Sequence, residues 1–139
     1  MTTFRLIAVA ALLASVPGWA SAWRARNLHQ VEPVSASVFE VIGRPGSGAA
    51  DYWCGAGDYV RHALGRAAVQ RVYIWRAIGP SVTRQGRRAI QFSLTPPDNP
   101  TPSPGYSLST KAVGDNLTAA FAFQYCFDND RPDALFPWR

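Results

Sequence analysis

The chain has 139 residues, 47% hydrophobic and 17% charged, with 14 basic and 9 acidic side chains and a net charge of +5. That length is enough for one domain with a buried core, and the modest positive charge favours anionic partners without selecting one. Two histidines and two cysteines, widely spaced, make no metal-ligand set, and nothing in the composition points to a cofactor.

Met1 to Arg5 carry one positive charge, Leu6 to Val16 are almost wholly apolar, and Pro17-Gly18 precedes the small triplet Ala20-Ser21-Ala22. This is the layout of a secretory signal cleaved after Ala22. The apolar run is shorter than the ~20 residues that span a bilayer. The expected mature chain is therefore Trp23 to Arg139, one exported domain. It has no later segment apolar for long enough to cross a membrane, and its net charge is +4 once Arg5 is removed. All basic residues except Lys111 are arginines.

Trp23 to Pro33 shows no clear period and reads as an extended arm. Ser35 to Ile42 reads as a strand with Val38 and Ile42 on one face and Phe39 and Val41 on the other. The cluster Gly43-Arg44-Pro45-Gly46-Ser47-Gly48 ends it. Ala49 to Leu64 is the one convincing helix. Ser47 is its candidate N-cap, Asp51 sits where the helix dipole favours an anion, and Gly65 suits the position after its end. Trp53, Ala56, Val60, Ala63 and Leu64 form its apolar stripe. Gly55 and Gly57 each cost about 0.5–1 kcal/mol relative to alanine inside a helix, which points to close approach by a neighbouring element. Asp51 and Asp58 share a helix face. Capping, and pairing of Asp58 with Arg61 or His62, account for them.

Arg71 to Ile78 and Arg88 to Leu94 read as strands joined by a long loop, Gly79 to Gly86. Ile90, Phe92 and Leu94 alternate with Ala89, Gln91 and Ser93. Tyr73 and Trp75 read as core. Arg71, Arg76, Arg84, Arg87 and Arg88 form a candidate anion-binding edge, although a solvated rim protecting the sheet edge is the simpler reading of them. The aromatic pattern that makes RNA recognition specific is missing, so nucleic acid is a poor fit. Thr95 to Gly105 contains five prolines and reads as a semi-rigid surface loop. Tyr106 to Val113 and Leu117 to Phe127 read as a second hairpin turning at Gly114-Asp115-Asn116. Asp128 to Arg139 reads as a docked tail carrying Leu135, Phe136 and Trp138, and its Asp128-Asn129-Asp130 as a solvated acidic turn rather than a calcium loop. The expected fold is α+β: one helix on a four- to five-stranded, mostly antiparallel sheet.

In an exported chain two cysteines pair, so Cys54 and Cys126, 72 positions apart, are expected to form a disulfide. In a strand reading Cys126 shares its face with Ala120, Ala122 and Gln124. The small alanines would then lie against the helix, with Phe121, Phe123, Tyr125 and Phe127 turned away. Trp53-Cys54-Gly55 at a helix start superficially resembles the nucleophile of papain-like cysteine hydrolases. That chemistry needs a histidine base; His62 lies about 12 Å further along the same helix, and His29 sits in the arm, in no strand context those hydrolases use. No catalytic residue is assigned.

Trp-Cys-Gly-Ala-Gly-Asp-Tyr (53–59), Tyr-Ser-Leu-Ser (106–109) and Val-Gly-Asp-Asn-Leu (113–117) together look similar to small exported alphaproteobacterial proteins of unknown function. The resemblance runs from about Asp51 to Cys126. It implies bacterial origin and a periplasmic or secreted location, and it carries no activity. The expected role is a non-enzymatic binding or structural module that works through its basic edge or aromatic tail, with an anionic polymer or an envelope surface as the candidate partner. The alternative is an envelope hydrolase whose acid–base pair the sequence does not identify.

Overall fold

The structure, a computed structural model, describes residues 22–101 and 108–128. Most of the expected leader and the whole of the expected docked tail after Asp128 lie outside these residues. Six strands form one antiparallel sheet: β1 Trp23–Arg24, β2 Gln30–Pro33, β3 Val38–Ile42, β4 Arg71–Pro80, β5 Arg88–Ser93 and β6 Asn116–Thr118, in the order β1-β2-β3-β5-β4-β6. Two helices, α1 Ala49–Asp58 and α2 Ala119–Asp128, complete the α+β fold. No helix among the described residues is long and apolar enough to cross a membrane.

Three expectations are corrected. The arm before Pro33 is a hairpin, β1 to β2, closed by hydrogen bonds between Ala25 and His29 and from the Leu28 amide to the Ala25 carbonyl. Of the expected Leu117 to Phe127 strand only Leu117 and Thr118 are extended, in β6, and the rest is helix α2. The described part of Tyr106 to Val113, from Leu108 onward, forms no strand and contacts β4 through isolated bonds such as Ile78 N–H to the Thr110 carbonyl. The sheet is therefore larger than expected, and two helices cover it instead of one.

The predicted alternation in β3 and β5 is present. Phe39, Val41, Ile90 and Phe92 face the helices with Val31, Val72 and Ile74 from neighbouring strands. Trp53 meets Phe92 edge-on at 4.9 Å between ring centroids, and Tyr59 packs on Phe39 at 4.7 Å. The inward residues of β4 are Val72 and Ile74, both fully buried, whereas Tyr73 is half-buried and Trp75 exposed. The register is shifted after Ile74 and again after Arg76, and Trp75 sits in the first irregularity.

The apolar stripe of α1 ends sooner than its spacing suggests. Trp53, Ala56 and Val60 are buried, but Ala63 and Leu64 are exposed. At Tyr59–Ala63 the helix widens into a π-helical turn, and wider turns rotate later residues off the stripe. Gly65 then takes a left-handed conformation at φ 63°. The helix N-cap is Gly48 rather than Ser47. The Asp51 carboxylate accepts the Gly48 N–H at 2.8 Å, while Ser47 is engaged elsewhere.

α2 buries Ala119, Ala122 and Cys126, spaced three and four apart, against α1. Gly57 lies directly on the α2 backbone and Gly55 on Val41 of β3. The two glycines thus serve two different close approaches. The disulfide between Cys54 and Cys126 is formed, with a Cα–Cα distance of 4.8 Å. Ala122 and Cys126 do turn toward α1, as the strand reading required, but they do so by helical spacing.

On the far face of the sheet, Glu32, Glu40, Gln91 and Arg76 occupy one transverse row through the register of four strands. Glu40 is fully buried beneath the β4–β5 connection. It accepts hydrogen bonds from the Ser81 and Thr83 hydroxyls and from the amides of Val82 (3.2 Å) and Thr83 (2.9 Å). Arg84 extends the clamp through a 2.7 Å ion pair with Glu32. Burial pushes the Glu40 carboxyl up, but those four donors outweigh it and hold it below the usual 4.5. A depressed folded pKa stabilises above the unfolded value and is lost as pH falls through the folded one. Amide exchange at Val82 and Thr83, relative to intrinsic rates, is therefore expected to be slow at neutral pH and to accelerate only once the pH falls below the usual carboxylate range. Glu40→Ala should show the fast exchange at neutral pH, because each abandoned donor costs about 1–3 kcal/mol. Exchange independent of pH in the wild type, after correction for intrinsic rates, would contradict the clamp.

Candidate anion-binding site

Residues 44–47 form a tight turn. Pro45 presets the second position, Gly46 adopts φ 83° at the third, and the Ser47 amide donates to the Arg44 carbonyl at 3.0 Å. The Arg44 amide returns a bond to Ser47 Oγ at 2.8 Å. Ser47 is thereby held on a stiff platform between β3 and α1.

The tip of the β1–β2 hairpin meets this platform. Asn27 Nδ2 donates to the Asp51 carbonyl at 2.8 Å, and the Arg26 amide donates to Asp58 Oδ2 at 2.8 Å. Asp58 also accepts from Trp23 Nε1 at 3.4 Å and pairs with His62 at 2.6 Å, so one buried carboxylate ties the hairpin to α1. Leu28 is held at φ 68°, in the left-handed region that usually favours glycine, and its side chain is exposed on the tip.

This docking places His29 Nε2 2.7 Å from Ser47 Oγ and His29 Nδ1 3.3 Å from the Asn27 carbonyl. The carbonyl can only accept, so in the neutral ring the proton lies on Nδ1 and Nε2 accepts from the Ser47 hydroxyl. His29 is 5% exposed, and burial lowers its pKa further than the Asn27 carbonyl and Asp51 raise it, with Arg44 and Arg87 adding to the lowering. The neutral ring is the favoured form.

Three depressions surround the turn, and Arg44 borders all of them. One of about 620 Å³ holds His29, Ser47, Asp51 and Arg26; one of about 480 Å³ holds Tyr52, Arg87 and Arg88; one of about 240 Å³ holds Arg24, Leu28 and Arg87. Arg24, Arg44, Arg87 and Arg88 are exposed, and among the described residues none of the four pairs with a carboxylate. Arg87 donates one N–H to the Gly43 carbonyl at 2.8 Å, which steadies its guanidinium. Arg26 lies over the Phe127 ring at 4.8 Å.

The five arginines expected to form one edge are distributed differently. Arg87 and Arg88 border the depressions. Arg84 is consumed by Glu32, Arg71 bonds Asn116 Oδ1 at 3.1 Å, and Arg76 stands on the exposed far face of β4. Arg24, Arg26 and Arg44 join the site unannounced. The hairpin that carries Arg24 and Arg26 lacks a strand period, although Arg-Pro-Gly-Ser is itself a recognisable turn signature. Comparison with protein-family models, curated proteins and solved structures finds no match to the chain.

Proposed function

We propose that the protein is an exported module that binds an anionic ligand, such as a carboxylated or sulfated polymer, at the turn between β3 and α1. One observation supports this above others: four exposed arginines with no carboxylate partner among the described residues, drawn from β1, the 44–47 turn and positions 87–88 where β5 begins, border depressions that share Arg44. Guanidinium groups suit carboxylate, sulfate and phosphate because their forked donors match planar or tetrahedral oxyanions. A leader in the sequence and a formed disulfide support a location outside the cytoplasm.

The test uses heparin as a polyanion probe. Binding should weaken steeply with added salt. Arg44→Gln with Arg87→Gln should weaken it on the order of tenfold or more, whereas Arg71→Gln with Arg76→Gln, the same change in charge on β4, should have a much smaller effect. Equal losses in the two pairs would reduce the effect to net charge and remove the site.

A further inference from the structure

Beyond binding, we propose that Ser47 and His29 form a nucleophile–base pair that cleaves an ester on the anionic ligand. The substrate class rests on the reading of the arginines above. The pair itself rests on separate geometry.

A serine hydroxyl is a weak nucleophile unless a base takes its proton as it attacks. Here the base sits 2.7 Å from Oγ, within the reach such transfer requires. Its other nitrogen is oriented by the Asn27 carbonyl, which selects the tautomer that can accept the proton. The ring is buried, yet Ser47 is only half-buried, and both border the 620 Å³ depression with Arg44. The backbone is committed to the same placement. The turn at 44–47 fixes Ser47, while Asn27 and Asp58 fix the hairpin that carries His29.

The chemistry balances without a metal or an oxidant. Ser47 Oγ bonds to the ester carbonyl carbon and its proton moves to His29 Nε2. The C–O bond to the alcohol then breaks, and the leaving oxygen takes that proton. Water attacks the acyl-serine, gives a proton to His29, and releases a carboxylic acid as Oγ is reprotonated. Asn27 acts as a positioning residue through its carbonyl. Arg44, on the rim of the same depression, supplies positive charge near the carboxylate of the substrate.

The pair is tested on the wild-type chain with a neutral alkyl fluorophosphonate, which bonds to an activated serine with loss of fluoride. Mass spectrometry should place the adduct on Ser47. Labelling should be fastest at neutral and alkaline pH and fall at least tenfold as the pH drops far enough to protonate His29. Ser47→Ala should abolish it. An aryl ester whose carboxylate cannot reach its own ester carbonyl, such as 4-acetoxybenzoate, should turn over at least tenfold faster than phenyl acetate once uncatalysed hydrolysis is subtracted. No adduct on Ser47 overturns the pair even where heparin still binds. An adduct with no preference between the two esters overturns the anionic substrate class and leaves the nucleophile standing. Because labelling is read on the wild type, misfolding of a variant cannot mimic either result.

Discussion

Replacing Cys54 and Cys126 together by alanine should lower the unfolding free energy by about 4 kcal/mol, the loop-closure value for a separation of 72 positions. Folding stabilities are typically ~5–15 kcal/mol, so the loss is a large part of the whole. The bond joins the second turn of α1 to the last turn of α2, and both cysteines are buried, at 0% and 5% exposure. The β4–β5 and β4–β6 pairings lie inside the closed loop, and β3–β5 joins it to the chain before Cys54. Opening it releases chain entropy in the unfolded state while the folded contacts between α1 and α2 remain. Urea titration followed by tryptophan fluorescence is a suitable measurement, because Trp53 is buried against Phe92. The oxidised protein should show the higher midpoint, and reduction by dithiothreitol should bring it near that of the double-alanine variant. A difference under about 1 kcal/mol would show that the unfolded chain is already compact without the bond.

The disulfide was legible from parity and compartment, but the element carrying Cys126 was not. Residues 119–128 alternate aromatic and smaller side chains, which imitates a strand with two faces. The same residues place Ala119, Ala122 and Cys126 at helical spacing, and Ala is the best helix former. The helical period prevails because its small face allows α2 to lie against Gly57, whereas the aromatic residues are left at the edge. There Phe121 is 55% and Phe127 40% exposed. A similar conflict governs β4, where large aromatics at Tyr73 and Trp75 drew attention from Val72 and Ile74. Tyr73 and Trp75 share one face of β4 by plain alternation, and which face meets the helices is decided by tertiary pairing, which leaves no local mark.

The candidate site was less legible still. His29 and Ser47 are 18 positions apart, and their contact exists only because Asn27 and Asp58 hold the hairpin on α1. Glu40 is similar: a carboxylate in an apolar strand reads as a solvated position. It becomes a buried anchor only when the Ser81–Thr83 segment folds over it. By contrast, Gly55 and Gly57 announced their close approaches in advance, because two glycines inside a helix need a packing reason.

Those glycines set the sharpest test of the packing. In an open helix Gly57→Ala would stabilise by up to about 1 kcal/mol through propensity alone. Here the new Cβ would overlap the Phe123 amide nitrogen and stand 2.7 Å from the Ala122 carbonyl carbon and 2.9 Å from the Ala119 oxygen. All three are backbone atoms, so no side-chain rotation relieves the clash. α2 would have to withdraw, yet it is pinned by the disulfide and by the Ala119 and Ala120 amides bonded to the carbonyls of Gln70 (2.7 Å) and Ala68 (3.1 Å). Gly57→Ala should therefore destabilise by about 2–3 kcal/mol. Gly55→Ala meets the Val41 side chain, at 2.7 Å from Cγ1, and a side chain gives way more readily, so its cost should be nearer 1 kcal/mol. Repeating Gly57→Ala without the two cysteines separates the causes. If the pinned helix is what makes the methyl costly, its penalty should shrink by at least 0.5 kcal/mol once α2 can back away. Equal stability of the two alanine variants, or a gain for Gly57→Ala, would mean that α2 does not lie on that glycine in solution.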